Sequence, residues 1–450
     1  MKYINKSFTI IVCAILLLQS SCKKSTFTEA NTNPNAPNTV FPSMLLSSVE
    51  GSLAYAQGGD MSRFTSMFMQ QTLGATRQSA AYYQYVLTAQ DVDGLWGNIY
   101  TAVMENDDSL MVQSDRMGYN EYSGVSRVLM AYSLQIMVDC WGTIPYSNAL
   151  KGFYNLTPSY DVDKGLYDTI NNLCDRGIAY LNNPVQGKVT PGAEDVIYGG
   201  DATKWVKFAH AIKARLYMHQ SKGNTAMATN ALSEIANSFT SNADNAVCVF
   251  GTTEPNGSPW YQFNSNRGDI SFVYGNMVQN MFANNDPRTM VFVDTSSAVY
   301  GDALNTYYGG INSPVEFITY DELQYMTAEA KIVVGGTGSL IAARTAFKNA
   351  ITANMTKLGV ATADIDTYLV HNATLVSTTA LSQIANDEYI ALYLNPEVWS
   401  LWRRTGYPVL APVSGTNIPR RFLYPQTELS YNKANTPTST LYTPKLFWDK

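Results

Sequence analysis

A chain of 450 residues, 46% of them apolar, has ample material for a large core. A formal net charge of -6 leaves no basic field for nucleic acid, and charged residues reach only 15%, well below the usual quarter. With 30 tyrosines, so weakly charged a chain favours a surface that meets neutral polar ligands or a partner protein.

The N-terminus reads as a secretory leader. Lys2 and Lys6 supply the positive charge, and the apolar run 8–18 is too short to cross a bilayer as a helix. Ser20 and Ser21 precede Cys22, which marks a lipoprotein processing point with Cys22 as the lipidated first residue. Residues 1–21 are then a leader. Residues 22–40, polar and rich in Pro and Asn, form a tether with nothing to bury, and 41–450 reads as one helical domain.

From residue 41 the periodicity is helical. Segments 44–56 and 61–73 predict a helix pair split by Gly58 and Gly59; GATRQSAAYYQY follows as a loop, then a helix over 95–111. Residues 126–141 are apolar almost all round, which predicts a helix buried on every side. After the loop GTIPYSNAL, an amphipathic helix runs through Leu166, Ile170, Leu173 and Leu181. In DATKWVKFAHAIKARLYMHQ, Trp205, Phe208, Ala209, Ile212 and Leu216 share a face, with Asp201 or Thr203 as cap. Its order of Trp, bulky apolar and small residues resembles the first helix of a tetratricopeptide unit. Further helices are expected over 321–333, 340–358 and 381–394. The fold class is therefore mainly α, a tetratricopeptide-like scaffold of degenerate repeats.

Residues 242–313 break this pattern. They are rich in Gly, Asn, Ser, Asp and aromatics, and read as a loop-rich ligand-binding insertion with one short helix near 277–283.

Enzyme signatures are missing: no GxSxG elbow, phosphate loop or dinucleotide fingerprint occurs. His210, His219 and His371 lack metal-ligand spacing and read as half-buried helix residues. Cys140, Cys174 and Cys248 lack CxxC spacing and read as buried thiols. Asp91 with Asp93, and Asp161 with Asp163, begin like calcium loops but lack the later ligands. No metal or cofactor is expected. Ligand binding fits better, since flat aromatic faces with Asn, Arg and Asp beside them suit sugar rings or peptide side chains. Three loops hold that mixture. The first carries Arg77, Tyr82, Tyr83 and Tyr85, just before Trp96; the second carries Trp260, Tyr261, Asn266 and Arg267; the third carries Tyr300, Tyr307 and Tyr308. For each aromatic alone, local packing is the competing reading.

Near the C-terminus, Asn395 is placed to cap a short helix that carries Val398, Leu401 and Trp402 on one face. Arg403 and Arg404 occupy its last turn, Gly406 supplies a left-handed stop and Pro408 prevents resumption. With Arg420 and Arg421 they form either an anion-binding patch or a set of buried pairs that pins the chain end. Interleaved Trp399, Trp402, Tyr407, Phe422 and Tyr424 favour the second.

WSLWRRTGYPVL followed by IPRRFLYPQTELSYN resembles the C-terminal hallmark of the SusD/RagB outer-membrane lipoproteins of Bacteroidetes-type bacteria. LWGNIY, VDCWGTIPYSNAL, TPSYDVDKGLYDTI, GDATKWVKFAHAIKARLYM, NDPRTM and FITYDELQYMTAEA resemble family blocks in the family's order. The resemblance implies a SusD-like fold and a non-enzymatic nutrient-binding lipoprotein at the outer membrane. Such a protein is held there by Cys22 alone, faces the cell exterior, and acts as the lid of a SusC-like TonB-dependent transporter. Its ligand is expected to be an oligosaccharide, with a peptide as the alternative. An anchored glycoside hydrolase or a purely structural helical adaptor are the rival classes.

Overall fold

A buried helix sets the architecture: in Asn120–Trp141, every residue from Tyr122 to Trp141 is buried. In this computed structural model the described residues are 40–296 and 302–450; the leader, Cys22, most of the tether and Tyr300 lie outside them. Asn120–Trp141 is flanked by Glu105–Met117 and Asp163–Leu181, and Asp163–Leu181 packs in turn on Ala202–His219. Ala202–His219 pairs with Thr225–Ile235, and Tyr320–Val334 pairs with Ser339–Lys357. Helix pairs stacked in this way bury faces that no single pair could cover alone.

The local reasons match the sequence. Asp201 caps its helix by accepting the amides of Thr203 and Lys204 at 3.0 and 3.2 Å. Trp205, Phe208, Ala209, Ile212 and Leu216 are all buried, as their spacing requires. Gly335, Gly336 and Gly338 turn the chain between the Tyr320–Val334 and Ser339–Lys357 helices. Cys140, Cys174 and Cys248 are free and buried.

The predicted pair is split at Gly59, whose backbone is non-helical where Pro42–Ala56 gives way, through the turn Gln57–Met61, to Ser62–Phe68. Three expectations change. The expected loop after Gly74 contains the helix Arg77–Tyr83, and the insertion contains Pro259–Asn266, in which Ser258 accepts the amide of Tyr261 and Pro259 opens the first turn. His219 is fully buried rather than half-buried.

Strand structure among the described residues is confined to three antiparallel two-stranded pairs. Leu73–Gly74 pairs with Ile270–Ser271, Ala246–Val249 with Pro314–Ile318, and Val293–Asp294 with Ala303–Leu304. Among the same residues, no helix is long and apolar enough to cross a membrane.

The arginine-rich end is scaffold. Asn395 accepts the amide of Glu397 at 3.0 Å, and Gly406 is left-handed at φ 80. Arg403 donates to the carbonyls of Asp139 and Arg420 at 2.6 and 2.9 Å and lies over the rings of Trp399 and Trp448. Arg404 pairs with Glu329, Arg421 reaches the carbonyl of Trp141, and Arg420 pairs with Asp449. Three of the four are buried with protein partners, which removes them from any surface anion site.

A second ionic group joins that end to the scaffold. His219 sits between Glu397, whose Oε1 accepts from Nε2 at 2.7 Å, and Tyr167, whose hydroxyl faces Nδ1 at 2.8 Å and donates to Asp139 at 2.5 Å. Burial opposes the charge on the ring, but Glu397 and Asp139 outweigh it and raise His219 to about 9. With both ring nitrogens protonated at neutral pH, His219 is a cation between the carboxylates of Asp139 and Glu397, an ion-pair lock.

Candidate ligand-binding groove

A sheet of two residues per strand builds the site. Leu73 opposes Ser271 and Gly74 opposes Ile270, so the first two candidate loops leave one ladder side by side. The carbonyl of Asp269 then accepts the amides of Ala75 and Thr76 at 2.7 and 3.2 Å. Gly74 is required here, since a Cβ would stand 1.9 Å from the carbonyl oxygen of Ser79. Arg77 and Tyr85, at either end of the short helix, hold positive φ angles of 52 and 64. Non-glycine residues in that region store strain that the surrounding structure must hold.

Below this ladder a groove of about 170 Å³ lies between the Ser62–Phe68 and Pro259–Asn266 helices. Tyr82, Phe263, Arg63, Arg267, Asp60 and Asp91 line it. The guanidinium groups of Arg63 and Arg267 lie 4.5 and 5.6 Å from the centre of the Phe263 ring. Each is paired: Arg63 with Asp60, and Arg267 with the buried Asp269, whose carboxylate also faces Arg77 at 3.4 Å. Donation to the Asp269 carboxylate raises Arg267 above its ordinary value. Tyr82 stands edge-on to Phe64 at 5.0 Å and donates to Asp91 at 2.7 Å. Partial burial disfavours the Asp91 carboxylate, yet hydrogen bonds from Thr88 and Tyr82 leave it below the ordinary range. The floor is therefore one phenol, one benzyl ring and two stacked guanidinium groups, all held in fixed orientation.

The candidate residues divide by burial. Tyr82 and Arg267 meet in the groove, while Tyr83 and Tyr261 are half-buried and do not line it, and Arg77 and Asn266 are exposed. Tyr85, Trp96, Trp260 and Tyr308 are buried and offer scarcely any ring face to a ligand. Trp96 packs on Tyr100 and Trp141, at 4.9 and 5.3 Å between ring centres. Trp260 donates to Ser62 at 3.0 Å and packs on Phe272, so it anchors the helix that presents Phe263 and Arg267. The Tyr85 hydroxyl accepts the amide of Val413 at 3.1 Å.

The third loop goes elsewhere. Tyr307 donates to Glu316 at 2.7 Å, and Tyr308 stands edge-on to Phe292 and Tyr393, so neither lines the groove. Sequence reading missed Asp60, Arg63, Phe64 and Phe263. Arg63 and Phe64 sit within an apolar helical run and carry no loop signal, and Phe263 is visible only as one aromatic among many.

The family model described as "Starch-binding associating with outer membrane" matches residues 34–425. The chain belongs to this SusD-like family, whose members associate with the outer membrane. No curated protein matches it. Among solved structures, a chitin-binding protein superposes with a TM-score of 0.76 at 23% identity, covering 91% of this chain and 100% of that one. A SusD/RagB family protein from Bacteroides thetaiotaomicron gives 0.74 at 20% identity, covering 91% and 99%. A chitin-binding SusD homologue from Flavobacterium johnsoniae gives 0.73 at 20% identity, covering 91% and 97%. These likenesses establish the SusD-like, mainly helical fold.

Proposed function

We propose that this protein captures a neutral oligosaccharide in the groove floored by Tyr82 and Phe263, and passes it to a SusC-like TonB-dependent transporter. The observation that carries the reading is the ladder that brings two distant loops to one groove of aromatic faces and fixed polar groups. Sugar rings stack on such faces while carboxylates and guanidinium groups hold their hydroxyls. Membership of a family described as starch-binding supports it, as do solved relatives named for chitin binding.

Binding without turnover fits the carboxylates. Glycoside hydrolysis needs a proton-donating acid opposite a second carboxylate. Of the two in the groove, Asp60 is committed to Arg63 and Asp91 is held below the ordinary range, which makes it a poor donor at neutral pH. In this reading Cys22 carries the lipid that anchors the protein to the outer membrane, facing the exterior, with 22–40 as the tether.

A surface suited to the transporter is present. Phe153 and Tyr154 are 96% and 98% exposed, and Leu156 beside them is also exposed. Hydrogen bonds from Asn432 and Asn435 to the carbonyls of Pro158 and Thr157 bring the exposed Tyr431 to the same region. Exposed apolar side chains grouped in this way would suit contact with another macromolecule.

Calorimetric titration of residues 23–450 with oligosaccharide and peptide panels, with product analysis on the same samples, tests the reading. Saturable binding of an oligosaccharide without product is expected. Released product would replace the reading with a hydrolase, and binding confined to peptides would move the ligand class.

A further inference from the structure

A second groove opens on the same seam. The chain from Pro42 to Phe68 lies against the segment that leads into and forms the Pro259–Asn266 helix. Along that seam Tyr55 meets Gln262, Gly59 passes near Pro259, and Arg63 meets Phe263. The groove already described lies at the Arg63 end. At the Tyr55 end a larger one, of about 550 Å³, lies between Tyr55, Val249, Phe250, Pro255, Asn256 and Gln262.

Its walls are built to hold shape. Gln262 donates to the carbonyls of Glu254 and Gly257 at 3.1 and 3.0 Å, which turns its Oε1 to the hydroxyl of Tyr55 at 3.2 Å. Tyr55 is 46% exposed and Val249 is also exposed, so a ring face, an apolar edge and the amide of Asn256 are open to a ligand. Between the two grooves the seam is closed, with Gly59 and Pro259 both buried against each other.

Volume decides how the two are used. Sites that bury a drug-sized ligand run to roughly 300–1,000 Å³. The Tyr82 groove, at about 170 Å³, is too small to enclose an oligosaccharide, whereas the Tyr55 groove falls within the range. We propose that the Tyr55 groove is a second binding site, which takes the further sugar rings of the same neutral oligosaccharide. This rests on the reading that the Tyr82 groove binds saccharide. The consequence is selection by length: short oligomers engage one groove and longer ones engage both.

The test is titration of residues 23–450 with homologous ladders of chitin-derived and starch-derived oligosaccharides, from the disaccharide upward. Affinity is expected to rise with length, and Tyr55→Ala to remove about tenfold from the longer members while leaving the disaccharide unchanged. Tyr55→Phe, which keeps the ring, restores most of that affinity, and an unchanged melting temperature shows that Tyr55→Ala folds. Tyr82→Ala weakens every member that the unaltered protein binds. If affinity is flat beyond the disaccharide, or Tyr55→Ala is silent at every length, the second site is overturned while the Tyr82 reading stands. If no ladder binds at all, both fall.

Discussion

The carbonyl of Asp269 accepts the amide of Ala75 at 2.7 Å, and the Asp269 carboxylate faces Arg77 at 3.4 Å while holding Arg267. One buried residue thus ties the first candidate loop to the second through backbone and side chain together. Asp269→Ala removes the carboxylate from two guanidinium groups but keeps the backbone bond. A stability loss of about 1–2 kcal/mol is expected, since both arginines keep partial access to water. Saccharide affinity should fall further than that modest loss suggests, because Arg267 no longer holds its place over Phe263. Paired urea melts and titrations check both numbers.

Phe263 and Trp260 are neighbours on one short helix with different tasks. Phe263→Ala deletes a stacking face at the groove, and about a tenfold weakening of saccharide binding with a nearly unchanged melting temperature is expected. Trp260→Ala deletes a buried anchor and its bond to Ser62, which costs about 3–5 kcal/mol on the usual scale for such truncations. Equal losses of affinity without loss of stability in both variants would mean that Trp260 touches ligand directly.

The scaffold was legible in the sequence because burial there follows period. The face of Trp205, Phe208, Ala209, Ile212 and Leu216 and the mostly apolar 126–141 segment announce themselves, and both are buried as expected. The groove was half legible. Composition pointed to the loops that carry Tyr82 and Arg267, but it could not separate a ring that faces ligand from one that packs. Trp96, Trp260 and Tyr308 have the same chemistry as binding aromatics and are spent on anchoring. Asp60, Arg63 and Phe64 escaped notice because the π turn at Gly59, a tertiary feature, aims that part of a helix into the site.

Exposure of Phe153 and Tyr154 makes a separate prediction. Replacing both with Ser should leave melting temperature and saccharide affinity unchanged, because neither residue is buried nor lines either groove. Recovery of the protein with the proposed SusC-like transporter from detergent-solubilised outer membranes should drop sharply. Full recovery would show that the patch serves another contact.

His219 predicts how stability depends on pH. Its imidazolium is enclosed by Glu397, Asp139 and Tyr167, with Trp448 against the ring at 4.8 Å and Arg215 and Arg403 nearby on the same carboxylates and rings. Burial alone would release the proton, but the two carboxylates raise the folded value to about 9 from the ordinary 6.5. Because the folded value is the higher one, the folded state binds the proton more tightly than the unfolded chain. The stabilisation is therefore complete below pH 6.5 and fades as pH rises through 9. A shift of this size corresponds to about 3 kcal/mol at full strength. Chemical denaturation at pH 6 and at pH 9.5 should show that loss in the unaltered protein. His219→Gln, less stable at pH 6, should lose little more at the higher pH, because the ring that titrates is gone. An equal decline in both proteins would place the sensitivity in other groups and leave the lock neutral.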